Sequence, residues 1–238
     1  MHPMNTSVRA SPFRPEELEF PEFGTNRTTT YTVECADPHR HDHAVRLLIE
    51  RMYEWRGLAP VDTDLHATRP DRITLVASDE HEIFGTVTLG LDGRDGILAD
   101  ALYPEELDRL RSRGARLCEL TRLAMDTRHN AKEVLGALLH LVYIHGRLIH
   151  GVTDVVIEVH PRHAGFYQRM IGFSYIGEER ICPRVNAPAV LLHLELAHMD
   201  EQIALYGGTG DPGVRTLYPY FLSPEEQDRI FLSLSSAH

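Results

Sequence analysis

Two residues of opposite charge interrupt an apolar run near the middle of the chain. The segment RLCELTRLAMD, residues 116–126, is otherwise typical of a buried strand, yet it carries Glu119 and Arg122 three positions apart. Because side chains alternate between the faces of a regular strand, the two can share a cleft only if a bulge lies between them. A carboxylate so placed can take a proton, and a guanidinium can bind a carboxylate. A salt-bridged strand with one polar face explains the same spacing, so both interpretations stay open.

A second candidate site lies at the start of the helix that follows. Apolar residues recur at helical spacing from Val134 onward, and Asn130 with Glu133 three positions later is typical of a helix N-terminus. Arg128 and Lys132 flank this end, where backbone N–H groups lack partners and the helix dipole is positive. The pattern predicts a phosphate site. Two solvated charges at a helix end are the alternative.

An aromatic residue follows the next strand. DVVIEV, residues 154–159, leads through a turn into a short helix that carries Tyr167 and ends at Gly172, which is typical of a C-cap glycine. Tyr167 could reach the gap between two strands, and an aromatic core residue is the alternative.

The order of these elements resembles the GCN5-related N-acetyltransferase (GNAT) superfamily. Within it, CELTRLAMD resembles the Glu-x-(Ser/Thr)-Arg strand of acyl-homoserine lactone synthases and of long-chain N-acyl amino acid synthases. The stretch HPRHAGFYQRMIGFSYIGEERICPRVNAPAVLLHLEL looks most like the latter group. The resemblance implies an α/β (α+β) fold with a mixed central sheet of about seven strands flanked by helices.

The resemblance implies an N-acyltransferase that moves a long-chain fatty acyl group from an acyl carrier protein thioester to the amine of an amino acid. The incoming amine must lose a proton, so a carboxylate is needed close to it. Glu119 is then the candidate base, and Tyr167 the candidate acid for the leaving thiolate. Tyr167 stands five residues before Gly172, where many acetyltransferases have four.

The resemblance also implies residues of the acceptor site. Homoserine lactone synthases have two aspartates after the first helix, and Asp62 and Asp64 resemble them at a narrower spacing. That family also has an Arg/Phe/Trp pattern near the N-terminus, which Trp55 resembles. Arg122 either binds the acceptor carboxylate with two hydrogen bonds or pairs with an acid, Asp62, Asp64 or Glu119, to shape the pocket.

The expected donor is the phosphopantetheine arm of a carrier protein, with acyl-CoA less favoured. Users of acetyl-CoA usually carry Arg/Gln-x-x-Gly-x-Gly/Ala at the helix start, whereas no glycine follows Arg128 here. Close backbone approach to a pyrophosphate is harder without glycine, which favours a single phosphate at Arg128 and Lys132. No tightly bound cofactor and no metal are expected, because no fourth ligand joins an alternating histidine set, His39, His41 and His43.

Two other functions fit parts of the pattern. The Glu-Leu-Thr-Arg strand also permits an acyl-homoserine lactone (autoinducer) synthase that uses S-adenosylmethionine. An acyltransferase-like protein that only binds a ligand or partner would suit the missing loop glycines. The joint presence of Glu119, Arg122 and Tyr167 argues against that last reading.

The composition of the chain limits which partners the protein is expected to bind. The 238 residues carry a net charge of −11, so nucleic acid and anionic membranes should repel the protein. An acidic carrier would need a local basic patch, and the candidate is an arginine run that also fits a solvated helix face: Arg109, Arg111, Arg113 and Arg116. Three scattered cysteines and the lack of a long apolar run predict a cytoplasmic protein without a membrane span.

Sequence patterns also divide the chain. We expect a poorly ordered arm at 1–26, an acyltransferase domain at 27–199 and a C-terminal extension at 200–238. The apolar tail of that extension could cap an acyl channel or pair two subunits into a homodimer. Alternating residues predict a hairpin of Arg72–Ser78 and Ile83–Leu91, and last strands at Ser174–Glu179 and Ala189–Ala197.

Overall fold

The structure is a computed structural model that describes residues 31–55, 71–126 and 131–235. In chain order the elements are β1 Thr32–Cys35, α1 Pro38–Trp55, β2 Arg72–Ser78, β3 Ile83–Leu91, α2 Pro104–Ser112, β4 Leu117–Met125, α3 Ala131–Tyr143, β5 Asp154–Val159, α4 Pro161–Ile171, β6 Ser174–Cys182, β7 Ala187–Glu195, α5 Leu196–Tyr206 and α6 Pro224–Ser235. Short helical turns at Leu98–Ala101, Ile144–Ile149 and Tyr218–Tyr220 complete them. None of the described helices combines the length and apolar content that crossing a membrane requires.

The strands form one mixed sheet of seven, in the order β1-β2-β3-β4-β5-β7-β6, which confirms the predicted architecture. The neighbours β4 and β5 run parallel, and the other pairs are antiparallel. β4 pairs with β5 from Leu117 to Glu119, against Asp154 to Val156. Past Glu119 and Val156 the two strands separate, and a fork opens in the middle of the sheet.

A β-bulge sits in β4 directly after Thr121. Thr88 pairs with Thr121, whereas Thr86 pairs with Ala124, so two residues of β4 face one residue of β3. Arg122 lies in this bulge with a φ of 53°, a left-handed conformation that costs energy for a residue with a Cβ. The expected bulge is therefore present but lies at Arg122 itself, because pairing with β3 stays regular from Cys118 to Thr121.

Buried side chains show which helices cover which face. On one face, α1 packs on Ala124 and α2 packs on Leu117 and Val156. On the other face, α3, α4 and α5 pack against a larger core that includes Cys118. Since side chains alternate along a strand, Glu119 shares the face of Leu117 and points to the α2 side of the sheet.

The end of the sheet differs from the predicted bounds at three places: β6 continues to Cys182, β7 begins at Ala187, and β7 ends earlier than predicted. The last strand ends at Glu195 rather than Ala197, and the next residue begins α5, which the sequence reading did not include. Leu196, Met199 and Ile203 recur at helical spacing and are buried, but the first of them also continues the alternation of the strand. The two patterns overlap there, so alternation alone predicts a strand that is two residues too long at this end.

The tail after α5 packs on α3. His140 of α3 holds it: Nδ1 accepts a hydrogen bond from the Leu222 N–H at 2.8 Å, and Nε2 lies 3.0 Å from the Gln227 amide oxygen. Burial lowers the pKa of His140 to about 4, which keeps the ring neutral for both bonds. The tail residues buried in the main core are Leu217, Tyr218, Phe221, Leu222 and Ile230.

Candidate active site

Two adjoining cavities open at the fork between β4 and β5. The first, which we name the polar cavity, has a volume of about 300 Å³, and its charged lining residues are Arg72, Glu119, Arg122, Glu158 and Arg184. The second, which we name the inner cavity, measures about 130 Å³ and reaches α3 and α4, where it is lined by Leu139, Ile157, Tyr167, Ile171 and Phe173. Leu120, Thr121, Arg122 and Glu158 line both, so the cavities meet at the fork.

Glu119 is a buried carboxylate in the wall of the polar cavity, 4% exposed. Its Oε1 accepts a hydrogen bond from the Leu98 N–H at 2.8 Å, and its Oε2 accepts one from the Ala99 N–H at 3.0 Å. Burial raises the pKa of Glu119 to about 7, although both backbone donors and the charge of Arg72 oppose that rise. A carboxyl group with this pKa is poised to exchange a proton near neutral pH.

The turn that holds Glu119 is itself clamped by Arg111. The Arg111 guanidinium binds both oxygens of Asp100 at 2.7 Å and both oxygens of Asp92 at 2.7 and 3.0 Å. Asp100 also accepts a hydrogen bond from the Ile97 N–H at 2.8 Å, directly before Leu98. Arg111 is thus part of an internal ion-pair network, and its charge is already neutralised there. This removes it from the basic patch that the arginine run suggested, while Arg109, Arg113 and Arg116 are exposed.

A second carboxylate, that of Glu158, also lines the polar cavity. Glu158 of β5 pairs with Arg184, whose Nη1 donates to the Leu98 carbonyl at 2.9 Å. Burial raises the pKa of Glu158, and the Arg184 charge opposes the rise. Sequence reasoning missed both residues. An acid inside the apolar strand DVVIEV was a usable signal for Glu158, whereas Arg184 follows β6 and reaches the site only through the tertiary fold.

The structure brings several predicted residues together. Glu119 and Arg122 line the polar cavity, and Tyr167 lines the inner cavity, with its ring edge-on to Phe166 and Phe173 at centroid distances of 5.4 and 6.1 Å. Arg122 borders both cavities. The carboxylate oxygens of Glu119 take their hydrogen bonds from backbone N–H groups rather than from Arg122.

Other predicted residues are only partly placed. Asp62, Asp64 and Arg128 lie outside the described residues, as does the side chain of Trp55 at the end of α1. Lys132 is exposed in the first turn of α3, with its Nζ 5.9 Å from the centre of the Tyr220 ring. The histidines at 39, 41 and 43 lie in α1, and within the described ranges no cluster of three metal-binding side chains occurs.

Comparison with known proteins points to one family. Residues 44–195 match the family described as N-acyl amino acid synthase FeeM. The structure is similar to that of FeeM, an N-acyl amino acid synthase from uncultured soil microbes, with 25% identity and a TM-score of 0.64 over 72% of this chain and 93% of that chain. No curated protein sequence gives a match.

More distant structures share the fold. Escherichia coli ElaA is 12% identical, with a TM-score of 0.50 over 69% of this chain and 99% of that chain. The nucleotide-linked sugar GNAT FdhC is 13% identical, with a TM-score of 0.50 over 75% of this chain and 93% of that chain. Likeness at this level of identity bears on the fold alone, and that fold is the one the sequence resemblance implied.

Proposed function

The chain belongs to the family of the N-acyl amino acid synthase FeeM, and we propose that it moves a long-chain fatty acyl group from an acyl carrier protein thioester to the amine of an amino acid. The protein is an acyltransferase of the GNAT fold. The observation that carries the proposal is the buried Glu119, with a pKa of about 7, in the wall of a cavity that also holds three arginines.

The charges of the polar cavity support an amino acid as acceptor. A free amino acid carries one ammonium and one carboxylate, and the cavity offers both complementary charges. Arg122 and Arg72 are the proposed partners of the acceptor carboxylate, since a guanidinium can bind a carboxylate with two parallel hydrogen bonds. Arg184 is already engaged by Glu158.

Proton removal is assigned to Glu119. The acceptor ammonium must lose a proton before its nitrogen has a lone pair for attack, and Glu119 takes that proton directly or through one water. The C–N bond then forms at the thioester carbonyl, whose oxygen becomes negative. Backbone N–H groups at the bulge around Arg122 are the proposed donors to that oxygen.

Collapse of the intermediate completes the transfer. The C–S bond breaks, the nitrogen loses a second proton to solvent, and the thiolate takes a proton from Tyr167. Solvent then reprotonates Tyr167 and takes the first proton from Glu119. The net products are the amide, the free thiol of the carrier and one proton. The place of Tyr167 in the inner cavity, on the side of the fork away from Glu119, supports this division of roles.

The acyl chain is assigned to the inner cavity and its continuation. A further apolar cavity of about 20 Å³ shares Leu120, Leu139, Ile171 and Phe173 with the inner cavity and extends to Gly146 and Met199. Apolar walls favour a fatty chain, because each buried methylene contributes about 0.8 kcal/mol. The carrier's phosphate is assigned to the start of α3, at Lys132 and Arg128.

The test is a product assay with the purified protein. Palmitoyl carrier protein is offered with each of the twenty protein amino acids in turn, and the products are identified by mass spectrometry. The proposal expects an N-palmitoyl amino acid, formed faster from the carrier than from palmitoyl-CoA at equal concentration. Formation of a homoserine lactone only when S-adenosylmethionine is added, or no acyl transfer to any amine, would contradict it.

A further inference from the structure

The Glu158 carboxylate is only half satisfied. Its Oε2 pairs with Arg184, with the Cys182 sulfur at 3.9 Å. Its Oε1 is buried and accepts no hydrogen bond from any residue that the structure describes. The side chain is 11% exposed and lines both cavities at the fork. A buried acceptor without a donor is unfavourable, so this oxygen is a place where a ligand can supply an N–H group.

One residue of the turn connects the two carboxylates. The Leu98 N–H donates to Glu119 Oε1 at 2.8 Å, and the Leu98 carbonyl accepts from Arg184 Nη1 at 2.9 Å. Arg184 in turn holds Glu158. Leu98 therefore links Glu119 to the Arg184–Glu158 pair through its own N–H and carbonyl groups, and the turn that contains Leu98 is clamped by Arg111. Such fixed geometry is what binding a small charged group requires.

Arg184 also explains why the two acids can lie close together. The charge of Glu158 contributes to the raised pKa of Glu119, since like charges repel in a partly buried site. Arg184 offsets the charge of Glu158, and two backbone N–H groups stabilise Glu119. The Arg184 charge opposes the rise that burial causes in the pKa of Glu158, and so favours the charged form that can bind a cation.

We infer that Glu158 binds the ammonium group of the acceptor amino acid, with Arg184 as its positioning residue, and that this carboxylate selects acceptors with a free primary amine. The inference rests on the proposed function and names a binding role at the same site. An ammonium group has three N–H donors, so it can donate to Glu158 and deliver a different proton to Glu119. The nitrogen then stays in place as it loses its charge.

Binding without the acyl donor separates this role from catalysis. The amino acid that gives the most product is titrated calorimetrically into wild type and Glu158→Gln, alongside its des-amino analogue, the same carboxylic acid with hydrogen in place of the amine. We expect Glu158→Gln to weaken binding of the amino acid roughly 10- to 100-fold, the scale of a hydrogen bond to a charged group, and to leave the analogue unchanged. Glu195→Gln, at an exposed residue of β7, is the matched control and should change neither.

Variants of Arg184 test the positioning role. Arg184→Lys keeps a cation beside Glu158 and should retain part of the preference for the amine, whereas Arg184→Met should lose it. Equal affinity of wild type and Glu158→Gln for the amino acid would overturn the inference, even while product still forms. Equal losses for the amino acid and its analogue would also overturn it, because Glu158 would then shape the pocket as a whole. A wild-type protein that binds and acylates none of the twenty amino acids would overturn the proposed function as well.

Discussion

The two sides of the fork are built in different ways. On the α2 side, charged groups line the polar cavity, and an ion-pair network fixes the turn that holds Glu119. On the α3 and α4 side, the inner cavity continues into a space walled by aliphatic and aromatic side chains. A hydrogen bond needs a donor and an acceptor at set distances, whereas an apolar chain needs only volume of the right shape.

This difference predicts two kinds of mutational effect. Changes on the α2 side should alter turnover and recognition of the acceptor, because single atoms matter there. Changes on the α3 side should alter the donor and the preferred chain length, with little effect on the acceptor. Variants on each side can therefore sharpen the comparison or break it.

Glu119→Gln should have the largest effect. Gln cannot take a proton at neutral pH, so kcat should fall roughly 10²-fold or more, the usual scale for a positioned general base. The matched control is Glu106→Gln. It removes another buried carboxylate, which lies on α2 and pairs with Arg180 of β6. That control should lower Tm and keep kcat per folded molecule. Near-normal turnover of Glu119→Gln with a large drop in Tm would contradict the base assignment.

The start of α3 should affect the donor alone. Replacing Arg128 and Lys132 together by Ala should raise KM for the acyl carrier roughly tenfold or more, because a charged phosphate contact is lost in both the ground and transition states. The value of kcat should change little. Arg46→Ala, at an exposed site on α1, is the control for a lost surface charge. An unchanged KM for the carrier would remove this helix start from the donor site.

Gly146 offers a mild test of the apolar side. A Cβ added there would meet Leu89 at 3.8 Å, an ordinary contact, so Gly146→Ala should be tolerated and should fill part of the innermost cavity. Displacing one methylene should shift the preference toward shorter acyl chains by roughly fourfold in kcat/KM, from about 0.8 kcal/mol per methylene. Competition between two acyl carriers of different chain length measures this. Gly93→Ala has open space around it and serves as control. A changed KM for the amino acid would break the separation of the two sides.

Arg111→Met should have the smallest effect on turnover, a few-fold at neutral pH. Loosening the turn weakens the two N–H groups that now lower the pKa of Glu119, so that pKa should rise and less of the base form should be present at pH 7. The pH dependence of kcat measures the shift, and Arg113→Met at an exposed position is the control. A lower Tm with an unmoved pH profile would make Arg111 a residue of stability only.

Sequence patterns predict the strands, caps and charged positions that depend on local structure. The hairpin Arg72–Ser78 and Ile83–Leu91 has the predicted bounds, since apolar residues recur at every second position along both strands and the turn between them is polar. Gly172 is the left-handed C-cap of α4, with a φ of 101°. Glu119 and Arg122, which line the polar cavity, are predicted from the sequence because charges stand out in an apolar strand.

The contacts that sequence patterns do not predict join residues that are far apart in the chain. Arg184 and Leu98 are far apart in the chain and meet only after β6 and β7 pair beside β5. The arginine run predicts Arg111 as a surface charge, because its partner Asp92 lies nineteen residues away in the chain. No spacing rule connects such residues, so the network around Glu119 required the structure.

The pH dependence of kcat in wild type and Glu119→Gln tests the central claim most directly. With saturating acyl carrier and amino acid, wild-type kcat should rise with pH through an apparent pKa near 7 and then level off, because the base must be deprotonated and burial raises its pKa to about 7. The value of kcat falls at low pH because the acid form of Glu119 predominates below that pKa and cannot accept a proton. Glu119→Gln should not show this rise of kcat with pH, and its rate should be low and constant across the same range. A rise of kcat with the same shape and midpoint in both proteins would contradict Glu119 as the base.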